Sequence, residues 1–163
     1  MTTVFAGKYF SIQTDTHGTE FVRTGDEVLV VALAEPDQVL LIKEPSPAFS
    51  APTLVLPGGS VEDNEEFSRT ANRELQEEVG FRAMLLNYLG ELRPFSKYLS
   101  VRSHVYLARQ LTASELPRDE EYEIEVSRVS LWGFEAMIED GRLMDARVIT
   151  ALYLARAFMS REA

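Results

Sequence analysis

Hydrophobic and polar positions alternate along the N-terminal part of the chain. Residues 8–14 and 19–23 each show the two-residue period of a half-buried strand, and a turn-forming Asp-Thr-His-Gly segment lies between them. Residues 27–33 and 38–42 are rich in Val and Leu, which is typical of buried strands. The pattern predicts a small sheet that begins with an antiparallel strand pair within about residues 1–25.

Short hydrophobic runs and longer segments with a helical period follow. Residues 44–52 are rich in Pro, Ser and Ala and predict a loop. The other elements are predicted strands at 54–56, 85–92, 99–108 and 126–132 and predicted helices at 64–79, 134–139 and 146–159. Because strands and helices are mixed and no repeat or linker divides them, we expect one α/β domain with a mixed sheet over residues 1–163.

The helix predicted at 64–79 has recognisable signals at both ends. Asp63 followed three residues later by Glu66 is the pattern of an N-cap with a capping box. Gly80 comes directly after the last periodic residue and indicates a helix stop. Between these signals the helix contains an unusual number of acidic residues.

Three of the acidic residues share one face of this helix. At about 100° per residue, Glu74, Glu77 and Glu78 fall within an arc of about 100°. Like charges on neighbouring turns repel each other, so a bound cation is expected there. Carboxylates without nearby Cys or His suit a hard ion, which favours Mg²⁺, with Mn²⁺ as the second choice. The alternative is an ordinary solvated, charged helix face.

The spacing of fixed residues around this face distinguishes the two interpretations. From Gly59 to Phe81 the chain reads Gly, five residues, Glu65, seven residues, and then Arg-Glu-Leu-Gln-Glu-Glu-Val-Gly-Phe. This arrangement fills every fixed position of the signature motif of the Nudix hydrolases, which the chain resembles. The resemblance implies an α/β/α sandwich and metal-dependent hydrolysis of a pyrophosphate bond.

The resemblance also implies a role for each matching residue. Arg73 and Glu65 would hold the loop and the helix in shape as part of the catalytic site. The implied metal ligands are the Gly58 carbonyl and the carboxylates of Glu74, Glu77 and Glu78. Arg69 is four residues from both Glu65 and Arg73, so we expect it to join a charge lattice along the back of the helix.

A second resemblance covers nearly all of the remaining chain. Residues 5–10, 120–126, 139–146 and 149–152 are similar to segments of the Nudix enzymes that cleave ADP-ribose and related ADP compounds. This similarity narrows the expected substrate to a nucleoside diphosphate derivative.

The acidic run of that second resemblance bears on proton transfer. Hydrolysis needs a carboxylate that takes a proton from the attacking water. In the ADP-ribose branch this base comes from a loop, and the matching position here is Glu120, with Glu121 and Glu123 as alternatives. In other branches the base lies in the motif itself, where the matching candidate is Glu77.

Two basic residues at strand ends are candidates for substrate binding. Arg23 lies just before a predicted core strand and Lys43 ends the next one. Either side chain would suit a substrate phosphate. The alternative for both is an ordinary surface residue of a strand pair.

Composition restricts the partners and the compartment. A net charge of −10 and a pI near 4.7 argue against a nucleic-acid-binding surface. The chain has no Cys, which is compatible with a reducing cytoplasm. The longest apolar run, residues 28–34, is far too short to span a bilayer, and no secretory signal begins the chain. We therefore expect a cytoplasmic protein without membrane partners.

These observations predict a Mg²⁺-dependent hydrolase that splits the pyrophosphate of ADP-ribose or a related compound into AMP and a sugar phosphate. The resemblance further implies a homodimer in which the N-terminal strands pair across the interface. Two alternatives remain open. One is a pyrophosphohydrolase of nucleoside triphosphates, and the other is a non-catalytic sensor that keeps the fold to bind nucleotides.

Overall fold

The N-terminal segment forms a three-stranded antiparallel sheet. The structure is a computed structural model and describes residues 1–34, 37–118 and 124–162. The three strands, in the order β1-β2-β3, are β1 (Thr2–Ala6), β2 (Ser11–Thr14) and β3 (Glu20–Arg23). The predicted pair corresponds to β2 and β3, whereas β1 was not predicted. Residues 8–10 do not join β2, because a turn closed by the Gly7 N–H and the Phe10 carbonyl intervenes.

A larger mixed sheet forms the centre of the molecule. Its strands are β4 (Glu27–Ala34), β5 (Gln38–Glu44), β6 (Thr53–Val55), β7 (Gly58–Ser60), β8 (Phe81–Leu92), β9 (Ser103–Ala113) and β10 (Glu125–Ser130). The order is β10-β5-β4-β9-β8, with β6 beside β5 and β7 beside β4. Strands β4 and β9 pair in parallel and the other neighbours pair antiparallel. The expected mixed sheet is therefore confirmed.

Helices cover both faces of the large sheet. They are α1 (Phe67–Glu78), α2 (Glu135–Glu139) and α3 (Ala146–Glu162). Alternate residues of β4 point to opposite faces: Val28 belongs to a core cluster with Leu75 of α1, and Leu29 belongs to another with Leu152 of α3. The α/β/α sandwich is confirmed by these two cores.

Helix α1 starts later than its sequence signals indicate. It begins at Phe67, three residues after the predicted start, because Asn64 has a left-handed backbone with φ of 64° and cannot continue a helix. Glu66 is the N-cap residue and makes no side-chain capping bond, so the predicted Asp63 capping box is wrong. The predicted stop is confirmed, since Gly80 follows the helix with φ of 73°.

The strands around the 95–100 turn are displaced from their predicted positions. Strand β9 begins four residues after the predicted start at Leu99, because the Tyr98 N–H bonds to the Phe95 carbonyl in a turn. Leu99 instead forms an isolated bridge with Val22 and so connects this turn to the N-terminal sheet. Among the described helices, none is both long and apolar enough to cross a membrane.

Candidate active site

The short strand β7 places a glycine pair between β4 and α1. Gly58 pairs with Leu29 and Gly59 pairs with Val28, so β7 covers the first half of β4 while β5 covers the second half. The Val30 N–H bonds to the Pro57 carbonyl at 2.8 Å, which extends this attachment. The sequence analysis did not predict β7, since two glycines have low strand propensity.

Close packing explains why both positions are glycine. A Cβ on Gly58 would overlap the Val28 carbonyl oxygen, and a Cβ on Gly59 would lie 2.5 Å from Oε1 of Glu74. Any larger residue at Gly59 would therefore displace the Glu74 carboxylate. The backbone at Gly59 and the Glu74 side chain are therefore packed closely against each other.

The C-terminal half of α1 buries two of its carboxylates. Glu74 is 6% exposed and Glu78 is 1% exposed. Acidic side chains are almost never buried so deeply unless they are paired or bind a cation. Glu78 accepts a hydrogen bond of 2.8 Å from the Gly58 N–H, so the end of α1 is tied to β7.

Arg73 makes five hydrogen bonds in this region, four to carboxylates and one to a backbone carbonyl. Nε donates to Oε1 of Glu65 at 3.2 Å, and Nη2 donates to Oε2 of Glu65 at 3.1 Å. Nη2 also donates to the Ser60 carbonyl at 3.2 Å. Nη1 donates to Glu74 at 2.7 Å and to Glu77 at 2.9 Å. One guanidinium therefore connects the last residue of β7, the segment before α1 and two residues of the helix.

Burial and pairing act in opposite directions on the ionisation of this pair. Burial raises the pKa of the Glu65 carboxyl, but hydrogen bonds from Arg73 and Thr70 and the Arg73 charge outweigh it, so the net pKa is lowered. Burial lowers the pKa of Arg73, yet its acidic partners raise it well above its usual value. The ion pair is stable at neutral pH.

Arg69 does not join this arrangement. Its side chain makes no hydrogen bond or ion pair in the described part of the chain, and Glu65 is paired with Arg73 instead. The predicted charge lattice fails because Glu65 lies before the helix begins, so the four-residue spacing does not place the two side chains on neighbouring turns.

The donor set suits a divalent cation that prefers oxygen. In the described ranges, no group of three His, Cys, Asp or Glu side chains is placed to hold a metal ion. Glu74 and Glu77 accept hydrogen bonds from Arg73, and Glu78 accepts one from the Gly58 N–H. A single guanidinium nitrogen nevertheless lies between Glu74 and Glu77, so one positive charge fits between them. Buried carboxylates and a nearby backbone carbonyl are the ligands that Mg²⁺ and Mn²⁺ prefer.

The two basic candidates lie apart from the Arg73 cluster. Arg23 is the exposed last residue of β3. Lys43 forms an ion pair of 3.1 Å with Glu125 and lines a cleft of about 440 Å³ walled by Pro45 and Pro52. The structure shows neither side chain against the carboxylates of α1.

The candidate bases Glu120, Glu121 and Glu123 lie outside the described residues. The preceding segment is described and is held by α1: the Gln76 side chain donates to the Ser114 hydroxyl at 2.8 Å, and the Leu116 N–H bonds to the Gln76 carbonyl at 3.2 Å. Gln76 was not predicted as a site residue, because it occupies a position of the motif that any residue can fill.

The sequence is similar to a known protein family over most of its length. Residues 23–152 match the model of the NUDIX domain. The chain is 29% identical to the ADP compounds hydrolase NudE of Escherichia coli, over 83% of this chain and 73% of the relative. It is 28% identical to the ADP-ribose pyrophosphatase of Bacillus subtilis, over 82% of this chain and 73% of the relative.

A solved structure shares the fold over almost the whole chain. The crystal structure of an ADP compounds hydrolase superposes with a TM-score of 0.86 and 26% identity, and it covers 99% of this chain and 92% of that chain. The similarity therefore includes the three-stranded N-terminal sheet as well as the residues around α1.

Proposed function

The chain belongs to the Nudix family of hydrolases, and from that premise we propose that its substrate is ADP-ribose or a related nucleoside diphosphate derivative. The proposed reaction is hydrolysis of the pyrophosphate bond, with AMP and a sugar phosphate as products. The observation that carries the proposal is agreement between two comparisons. The relatives named for ADP compounds and ADP-ribose match by sequence, and an ADP compounds hydrolase matches by structure over 99% of this chain.

The proposed metal ligands are the carboxylates of Glu74, Glu77 and Glu78 and the carbonyl of Gly58. Mg²⁺ is the proposed metal, with Mn²⁺ as the second choice. When bound, the metal would neutralise phosphate charge and lower the pKa of a bound water. The burial of Glu74 and Glu78 against β7 supports this assignment, because their positions are already fixed by packing and hydrogen bonds.

Arg73 and Glu65 act in this proposal as positioning residues. Their paired hydrogen bonds fix the loop after β7 relative to α1 and so keep the acidic face rigid. The proposed general base is Glu120, with Glu121 and Glu123 as alternatives on the same run and Glu77 as the alternative in the motif.

Lys43 and Arg23 are proposed to bind the substrate phosphates. The cleft of about 440 Å³ beside Lys43 falls in the usual size range of ligand sites, and its proline-rich wall offers an apolar surface. Lys43 would have to exchange Glu125 for a phosphate, which is feasible because the pair is exposed.

The homodimer is also part of the proposal. The N-terminal sheet leaves several large apolar side chains exposed: Val4, Phe5, Tyr9 and Phe10. Exposed apolar patches of this kind mark interaction surfaces, and β1 lies at the edge of its sheet. Light scattering after size exclusion tests this part, since a monomer at micromolar concentration contradicts it.

A substrate panel tests the proposed reaction. The purified chain is incubated with Mg²⁺ and ADP-ribose, sugar nucleotides, dinucleoside polyphosphates or deoxynucleoside triphosphates, and the products are separated by chromatography. We expect AMP and ribose 5-phosphate from ADP-ribose at the highest kcat/KM, with kcat lowered by orders of magnitude in Glu78→Gln. Pyrophosphate release from the triphosphates without cleavage of ADP-ribose would favour the nucleotide-pool alternative instead.

A further inference from the structure

Two arginines of this acidic protein have no protein partner in the described ranges and line the same cleft. Some exposed arginines bind a carboxylate, as Arg93, Arg102 and Arg142 do, whereas others, such as Arg23 and Arg128, have no side-chain partner in the described ranges. Arg69 and Arg82 make no such contact in the parts of the chain that the structure describes, although the chain contains 26 Asp and Glu residues against 16 Lys and Arg. Two uncompensated guanidinium groups at one place indicate an anionic ligand.

The cleft lies between α1, the start of β8 and the segment that follows β9. Its volume is about 570 Å³, within the range of small-molecule sites. Its lining includes Arg69, Asn72 and Gln76 of α1, Arg82 and Leu86 of β8, and Leu116. We call this space the α1–β8 cleft.

The α1–β8 cleft lies on the opposite side of α1 from Glu74 and Glu78 and about a quarter turn from Glu77. At about 100° per residue, the centre of its helical wall, near Arg69 and Gln76, lies about 160° around the axis from Glu74 and Glu78. A ligand there would therefore contact a different side of α1. Arg73 and Glu65 border both regions, and they are already paired with each other.

Hydrogen bonds hold the walls of the cleft in place. Asn72 accepts a bond of 2.8 Å from the Ala83 N–H and donates to the Ala83 carbonyl at 3.3 Å, which joins α1 to β8. Gln76 binds Ser114 and Leu116 and so joins α1 to the third wall. The two arginines project from elements whose relative positions are fixed, which limits the entropy lost when a ligand binds.

The balance of charge in the cleft is positive. Arg73 and Glu65 neutralise each other, so the remaining charges are Arg69 and Arg82 against the exposed Glu62. The formal charge of the whole chain is −10, so this cleft departs from the average surface. Leu86 and Leu116 add an apolar part to the lining.

We propose that the α1–β8 cleft is a binding site for a phosphomonoester, with Arg69 and Arg82 as the groups that hold its phosphate. Guanidinium groups match phosphate oxygens in pairs and form charge-assisted hydrogen bonds. Leu86 and Leu116 provide contact area for the organic part of the ligand. The site is separate from the hydrolytic reaction, so the proposal does not depend on the substrate assigned above.

Calorimetric titration of the full chain with inorganic phosphate tests the site. EDTA is present throughout, so that phosphate has no metal to bind. We expect saturable binding that weakens at least tenfold in the double variant Arg69→Gln/Arg82→Gln and by a smaller factor in each single variant. Arg128→Gln is the matched control, since Arg128 is exposed on β10 at the opposite sheet edge and its side chain has no hydrogen bond or ion pair in the described ranges.

The result has clear alternatives. Absence of saturable phosphate binding by the natural chain, or equal weakening by Arg128→Gln, would overturn the proposal, because only general charge would then be involved. Circular dichroism verifies that each variant is folded, and the single variants remain informative if the double variant is not.

Three further titrants identify the form of the phosphate. AMP and ribose 5-phosphate are compared with inorganic phosphate, and adenosine serves as the ligand without a phosphate. Tighter binding of either phosphomonoester, lost in the double variant, supports a site for a phosphorylated metabolite. Binding of adenosine as tight as that of AMP in this cleft would contradict the assigned role of the two arginines.

Discussion

Replacement of Arg73 by Lys is expected to destabilise the protein and to impair catalysis, although the charge is kept. The guanidinium makes five hydrogen bonds that reach from Glu65 to Glu77. An ammonium group has three donors at a single point and cannot reach partners on opposite sides of the fork. At least two of the five bonds would therefore be lost, and the acidic partners would approach each other without a cation between them.

The magnitude follows from the burial of the cluster. The Arg73 side chain is 21% exposed and its acidic partners are less exposed still. Bonds to charged groups are worth about 1.5–3 kcal/mol each, and water replaces part of that at this exposure, so the loss should be about 2–4 kcal/mol. For a protein of this size, that corresponds to a fall in Tm of about 5–15 °C.

Thermal unfolding by circular dichroism measures this effect, with EDTA and separately with Mg²⁺. Arg69→Lys is the matched control, because Arg69 lies one turn earlier on α1 and has no partner in the described part of the chain. Its Tm should stay within about 2 °C of the natural chain. A Tm and a kcat/KM for Arg73→Lys as close to the natural values as those of this control would refute the positioning role.

Four other changes test separate parts of the site. Glu78→Gln should lower kcat by orders of magnitude while Tm holds or rises, because like-charge repulsion is relieved as a metal ligand is lost; near-normal kcat at saturating Mg²⁺ would contradict this. Gly59→Ala should displace the Glu74 carboxylate and cost about 1–3 kcal/mol in a denaturant titration, together with activity. The pKa of Glu65 is lowered in the folded protein, so its ionised carboxylate contributes its full stabilisation of the fold above about pH 4.5. This contribution is lost as the pH falls through the folded-state pKa, so the difference in Tm between the natural chain and Glu65→Gln should narrow at low pH. Glu120→Gln should lower kcat by about 10² at unchanged KM, and an unchanged kcat would move the base elsewhere.

The large-scale architecture was predictable because its signals are local and repeated. Alternation and Val/Leu-rich runs predicted β4 and β5, and the glycine stop predicted the end of α1 at the correct place. The N-terminal end of α1 was not predictable in the same way. Asp63 and Glu66 have the composition of a capping box, but the left-handed Asn64 between them directs the chain into a turn first.

Tertiary contacts determine the features that the sequence analysis missed. Strand β7 consists of Gly-Gly-Ser and exists because β4 offers an unpaired edge where β5 ends its pairing. The bond from Gln76 to Ser114 joins residues 38 positions apart, a distance at which local patterns carry no information. The same holds for Arg73, whose Glu65 partner was expected from the resemblance but whose contacts to Ser60, Glu74 and Glu77 were not.

The candidate site combines a tightly packed part on α1 and β7 with a loop at residues 45–52. The packed part carries the proposed hydrolytic chemistry, and the loop lines the proposed substrate cleft. The carboxylates of α1 are held by packing against β7 and by Arg73, so a change at any of them disturbs several contacts at once. The 45–52 loop, by contrast, lines the cleft that we propose for substrate binding, and most of its residues are exposed. Loops tolerate substitution far better than a packed cluster. A relative at 28–29% identity can therefore share the hydrolytic chemistry while it differs in the preferred substrate, and the substrate panel, rather than further comparison, decides that preference.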